Sequence, residues 1–146
     1  PPPGAFPNPV DADFVGELIL RGYEVTRRAL RPGETTTVTL HWEARERLET
    51  DYVISAQIID PDPARLLKAA QLDAPPDPPV TAWTPGAPVA DARALTIAAD
   101  APPGRYRLLV RVYPAGDPAG ALRVRGEAGA QSVDYVWLSW IQVTAP

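Results

Sequence analysis

The chain contains no cysteine and no methionine, and only one lysine (Lys68), one histidine (His41) and one asparagine (Asn8). Without cysteine there is no disulfide framework, no thiolate nucleophile and no thiolate metal ligand. Acidic residues outnumber basic ones, 18 to 14, and the basic charge is arginine almost throughout. An acidic domain without a basic cluster is poorly suited to nucleic acid. No apolar run approaches the roughly 20 residues of a membrane-spanning helix, and no secretory signal is recognisable. A start at Pro1-Pro2-Pro3-Gly4 without any methionine reads as a piece of a longer protein, with any anchor or signal outside it.

What is abundant is proline and glycine, 19 and 10 of 146 residues. That is near the level at which disorder is expected. The apolar segments argue otherwise, because they are long, periodic and rich in aromatics, so the prolines read as turn punctuation in an all-β protein. The clearest segment is Ala101–Tyr113. Pro102 and Pro103 fix φ and Gly104 supplies a permissive turn position. Then Tyr106, Leu108, Val110 and Val112 point to one side, while Arg105, Arg107 and Arg111 point to the other. Period two with one charged face marks a half-buried antiparallel strand. Tyr106 follows its turn as the tyrosine of a tyrosine corner does, so its hydroxyl is expected to reach nearby backbone.

Residues 1–12 are proline-rich and aperiodic, as expected of an extended linker. Residues 13–146 read as a single sandwich domain. Phe14–Arg28 reads as strand with a break at Gly22, and Arg31-Pro32-Gly33-Glu34 as a turn. Thr35–Trp42 alternates cleanly, with Val38, Leu40 and Trp42 on the apolar side. Tyr52–Ile59 is the strongest central strand. Ala64–Leu72 has helical propensity but lies between turn signals, which favours a strand. Asp73–Pro88 is a long loop carrying Trp83. Val89–Ala98, Arg105–Tyr113, Ala121–Val124 and Val133–Val143 complete the set. The expectation is an all-β, two-sheet antiparallel sandwich of immunoglobulin-like or related topology, with Trp42 and Tyr106 in the core.

The turns follow a particular order. Gly22-Tyr23 and Arg31-Pro32-Gly33 precede Thr39-Leu40-His41-Trp42, Asp51-Tyr52-Val53 and Ala70-Gln71-Leu72-Asp73. Trp83-Thr84-Pro85-Gly86, Val89-Ala90-Asp91, Pro103-Gly104-Arg105-Tyr106 and Leu122-Arg123-Val124 follow. Over residues 14–143 this order resembles the β-sandwich domain found C-terminal to multi-pass membrane glycosyltransferase-like proteins of bacteria, themselves similar to dolichyl-phosphate-mannose-dependent mannosyltransferases. His41, where an aromatic is expected, and the proline-rich Asp60–Ala64 turn depart from that pattern. The resemblance implies an extracytoplasmic accessory domain, tethered through a segment outside this sequence, with the chemistry elsewhere in the polypeptide. It supplies no catalytic residue.

The residues themselves agree with a non-enzymatic role. A triad can be written from His41 with Ser55, Ser132 or Ser139, but no serine sits in a Gly-x-Ser-x-Gly elbow. Zinc would need three carboxylates around the lone His41, and no Asp-x-Asp-x-Asp-Gly calcium loop is present. Asp51, Asp60, Asp62, Asp73, Asp77, Asp91 and Asp100 stand beside prolines, turns or strand ends, where they cap backbone. No cofactor and no metal site is expected. The arginine stripe reads as a solvated face paired with acidic residues across the sheet. At a net charge of −4, a phosphate or anionic-lipid role is not favoured. Tyr135 and Trp137 fall on one face of the last strand and Trp140 on the other, unless a bulge intervenes. Two roles follow. One is an interaction module that packs against, or spaces, other domains of its own polypeptide. The other is a carbohydrate-binding module presenting glycan to a neighbouring enzyme, with Trp83 and Trp140 as stacking platforms and Asp91 as hydrogen-bond acceptor.

Overall fold

The computed structural model describes residues 6–15, 17–62, 64–65, 67–125 and 133–146. Among them ten strands follow in chain order: β1 (Asn8–Phe14), β2 (Leu18–Val25), β3 (Ala29–Leu30), β4 (Thr35–Ala44), β5 (Tyr52–Ile59), β6 (Lys68–Ala74), β7 (Pro88–Thr96), β8 (Gly104–Pro114), β9 (Val124–Arg125) and β10 (Val136–Val143). They form two five-stranded sheets, β7-β4-β2-β1-β9 and β3-β10-β8-β5-β6. The two-sheet sandwich read from the alternation is therefore the architecture. The one parallel pairing described is β3 on β10. It arises because the chain leaves the first sheet after Val25 and crosses to the edge of the second within three residues.

Alternation builds the core. On β4 the inward set is Val38, Leu40, Trp42 and Ala44; on β5 it is Tyr52, Ile54, Ala56 and Ile58; on β8 it is Tyr106, Leu108, Val110 and Val112. Trp42 packs against Phe14 at a ring separation of 5.5 Å. The Tyr106 hydroxyl donates to the Pro102 carbonyl at 2.7 Å, four residues upstream, as a tyrosine corner requires. Gly33 has φ 87°, the left-handed region its tight turn needs. The break at Gly22 is a bulge against β4, and Phe6 lies where a Gly22 Cβ would stand.

Three expectations need correction. The linker is shorter than residues 1–12, because the chain joins the first sheet at Asn8. Val10, Ala12 and Phe14 turn inward from there, while Pro9 flanks a register irregularity that tolerates a missing N–H. Residues 1–5 of that linker lie outside the described residues. Among the described residues of Ala64–Leu72 the strand starts at Lys68, and it continues to Ala74. Trp83 takes the core place its loop allowed, not the surface place that a stacking platform for glycan needs. A 3-10 turn over Val80–Ala82 directs Val80 and Trp83 into the core. No helix among the described residues is long and apolar enough to cross a membrane.

Candidate binding face

The outer face of the second sheet carries the molecule's most exposed indole, and a bulge puts it there. Trp137 lies opposite Leu109 and Trp140 opposite Arg107, so β10 carries one more residue than β8 between those pairs. The extra residue cancels the alternation that would set the two indoles on opposite faces. Leu138 and Ile141 both turn inward, and Trp140 stands outside at 41% exposure. Arg107 contacts both rings, 5.7 Å from Trp137 and 5.1 Å from Trp140. Arg105 lies over Trp140 at 4.3 Å. Tyr135 meets Trp137 edge-on at 5.5 Å. The result is an interleaved row of guanidinium and indole groups, each contact worth about 0.5–1 kcal/mol at an exposed site.

The arginine stripe is thus only partly what the sequence led us to expect. Arg111 does meet a carboxylate, Asp134, at 3.4 Å. Arg105 and Arg107 meet indoles instead, because β10 presents tryptophan there. Arg107 also donates from Nε to the Leu138 carbonyl at 2.8 Å.

Across the same face lies a polar half built on β5 and β6. Registers place Trp137, Leu109, Gln57 and Gln71 in one row, and Arg111, Ser55 and Asp73 in the next. Asp73 accepts from Ser55 Oγ at 2.7 Å, Tyr113 OH at 2.7 Å and Gln71 Nε2 at 2.9 Å. Gln57 donates to Ser55 Oγ at 3.0 Å, and Lys68 to Gln71 Oε1 at 2.9 Å. Burial works to raise the Asp73 pKa, but the bonds from Gln71, Ser55 and Tyr113, with the Lys68 charge, outweigh it and hold the carboxyl below its ordinary value.

A group whose folded pKa is depressed stabilises the fold above its unfolded pKa, about 4 for aspartate, and that contribution fades as pH falls through the folded value. Asp73→Asn is therefore expected to lower the urea midpoint at pH 7, and its gap to wild type to narrow as pH falls below about 4. A gap that does not narrow below that pH would contradict the assignment.

Of the three residues anticipated for glycan, only Trp140 is on this face. Trp83 is 2% exposed, with its Nε1 donating to the Pro78 carbonyl at 2.9 Å. Asp91 is 7% exposed and faces inward from β7. It accepts from Trp42 Nε1 at 3.3 Å and from Arg93 Nε at 2.9 Å. The structure does not bring the three together, so Trp83 and Asp91 are core groups rather than ligand groups. The residues of this face that sequence reasoning missed are Trp137, Gln57, Gln71 and Asp73. A signal existed: Gln57 interrupts the otherwise apolar end of β5, and Arg105 and Arg107 recur at the two-residue spacing that faces the indoles.

The other candidates disperse. His41 Nε2 lies 2.8 Å from Glu24 Oε2, and its ring stacks on Phe6 at 4.7 Å. Both contacts are on the outer face of the first sheet. Ser55 is on the opposite sheet, Ser139 bonds Tyr23 and Arg28, and Ser132 lies outside the described residues. Asp60 and Asp62 accept from the backbone N–H groups of Asp62 and Ala64, the turn role expected of them. Among the described residues no group of three or more His, Asp or Glu side chains is placed to share a metal ion. A cavity of about 700 Å³ lies on the first sheet near Phe6, Val10, Arg21, Trp42 and Glu43. There Arg21 pairs with Asp11 at 2.8 Å and Glu43 at 3.0 Å, so its charge is already neutralised.

No family model matches the chain, and no curated protein does. Solved structures do. The crystal structure of the C-terminal domain of Wzt covers 99% of this chain and 81% of its own, with TM-score 0.58 and 11% identity. At that identity the likeness is one of fold. A Niemann-Pick type C2 protein from Japanese carpenter ant covers 87% of this chain and 91% of its own, at TM-score 0.42 and 6% identity.

Proposed function

We propose that this chain is a non-catalytic accessory domain of a larger, membrane-anchored glycosyltransferase-like protein, held outside the cytoplasm, and that it engages carbohydrate through the outer face of the second sheet. The observation that carries this reading is the exposed Trp140 beside Arg105 and Arg107, on a face that also carries the exposed Gln71. Indole with guanidinium and amide groups on one face suits a ligand that is apolar on its ring faces and hydroxyl-rich at its edges. The order of turn motifs supports the glycosyltransferase context and the extracytoplasmic position. A non-catalytic role is supported by the separation of His41 from Ser55 and Ser139, and by the local turn bonds of Asp60 and Asp62.

A protein neighbour is the second reading, because tryptophan, tyrosine and arginine are also enriched at protein interfaces. In that case another part of the same polypeptide covers the face. A glycan array probed with wild type and Trp140→Ala separates the two. The carbohydrate reading expects wild-type binding to at least one glycan class and its loss in the variant. Silence across the array, or binding untouched by the substitution, would overturn it.

A further inference from the structure

The guanidinium groups on the outer face limit what kind of sugar it can take. Arg105 and Arg107 lie over the Trp140 ring at 4.3 and 5.1 Å. Trp140 stays 41% exposed, so a sugar stacked on its open surface lies against these guanidinium groups. What they add is the N–H edges of the arginines. Arg105 makes no hydrogen bond or ion pair with a described residue, and Arg107 commits Nε alone, to Leu138. Contact with the rings restricts the guanidinium groups, so less order is lost when an anion binds.

The local charge points the same way. Arg105, Arg107, Arg111 and Lys68 share this face with Asp73 and Asp134. Asp134 is paired with Arg111, and Asp73 is saturated by Ser55, Gln71 and Tyr113. Two arginines thus remain without a described carboxylate partner, in a chain whose net charge is −4. Several arginines elsewhere are paired with acids, although the exposed Arg28 bonds Asn8 and Ser139 instead. Arg21, Arg27 and Arg45 each lie within 3.2 Å of an acidic oxygen. Whole-chain charge therefore conceals a local positive row.

We infer that the ligand of this face is an acidic polysaccharide, a chain bearing uronate carboxylates, which the guanidinium edges of Arg105 and Arg107 grip while the exposed Gln71 on β6 meets its hydroxyls. This rests on the carbohydrate reading above and narrows it. Guanidinium and carboxylate pair through two parallel N–H···O bonds, which gives the contact both strength and direction.

The test is calorimetric titration of the domain with oligomers of galacturonate, glucuronate and mannuronate, each beside its carboxyl-reduced neutral counterpart. Variants Arg105→Gln and Arg107→Gln are run in parallel, with thermal unfolding as the folding control. At least one acidic oligomer is expected to bind and its neutral counterpart not. Each substitution should weaken binding about tenfold or more, and affinity should fall as salt rises. Equal binding of a neutral counterpart, untouched by the arginine variants, would overturn the acidic assignment and leave the carbohydrate reading in place. Absence of binding to every acidic oligomer, with a neutral glycan bound on an array, does the same. Binding of no glycan of either kind overturns both. Vesicles of phosphatidylglycerol and phosphatidylcholine form the last arm. Arginine-dependent binding to them, without oligouronate binding, would assign the face to lipid headgroups instead.

Discussion

Trp83→Ala is expected to destabilise the domain by about 3–5 kcal/mol, the range for removing a large aromatic side chain from a core. The indole is buried in the core, and its N–H is satisfied by the Pro78 carbonyl. Truncation leaves a large void and an acceptor without its donor. For a domain of this size each kcal/mol moves the melting temperature by roughly 2–4 °C, so the drop should be on the order of 10 °C. Trp140→Ala is the control. It removes exposed surface and arginine contacts worth about 0.5–1 kcal/mol each, so its melting temperature should fall by only a few degrees. Circular dichroism melts of both variants check this pair. Equal effects would contradict the assignment of one tryptophan to the core and the other to the surface.

A loss of similar size is expected for Arg93→Ala. Arg93 is 3% exposed and points from β7 into the space between the sheets. Its Nε bonds Asp91, while its two terminal nitrogens reach the Ile54 and Ala74 carbonyls, both at 2.8 Å. One side chain thus ties the edge of the first sheet to β5 and β6 of the second. Deleting it strands the buried Asp91 carboxylate and two carbonyls, and breaking a buried pair from one side costs about 3–5 kcal/mol. Replacing the arginine with methionine keeps the apolar stem and still strands the carboxylate, so Arg93→Met should be nearly as damaging. Asp91→Asn together with Arg93→Met removes the stranded charge and should recover part of the loss. Urea midpoints of the three variants test the order. A near-wild-type midpoint for Arg93→Ala would show that water, not the protein, satisfies Asp91.

The sandwich was legible in the sequence because its strands alternate. Val38, Leu40 and Trp42, or Leu108, Val110 and Val112, can be placed without coordinates. The tyrosine corner was legible from Pro103-Gly104-Arg105-Tyr106, where turn and strand stand side by side. Three things were not. Trp83 sits in a proline-rich loop, and sequence alone does not say that a short 3-10 turn directs it inward. Asp91 lies in Val89-Ala90-Asp91-Ala92-Arg93, where period two puts Asp91 and Arg93 on one face without marking it as the inner one. Charged residues are rarely buried unless paired, and this pair is buried because Trp42, Ile54 and Ala74 complete its hydrogen bonds. The arrangement on β10 depended on a single residue. A bulge reverses which face every later side chain takes, and Trp137-Leu138-Ser139-Trp140 gives no local mark of it. The guanidinium–indole face is therefore a product of long-range register, and register is what a single sequence encodes least directly.

The central claim is that the guanidinium–indole face of the second sheet binds ligand while Trp42 and Trp83 belong to the core. The four tryptophans make that directly observable, because each indole N–H gives its own signal in a proton–nitrogen spectrum of labelled domain. Titration with an acidic oligosaccharide, its signals assigned by single substitutions, is the measurement. The Trp140 and Trp137 resonances are predicted to move progressively and saturate, while Trp42 and Trp83, held by Asp91 and the Pro78 carbonyl, stay in place. Movement of the Trp83 signal with Trp140 unmoved, or four unmoved signals at saturating oligosaccharide, would contradict the account.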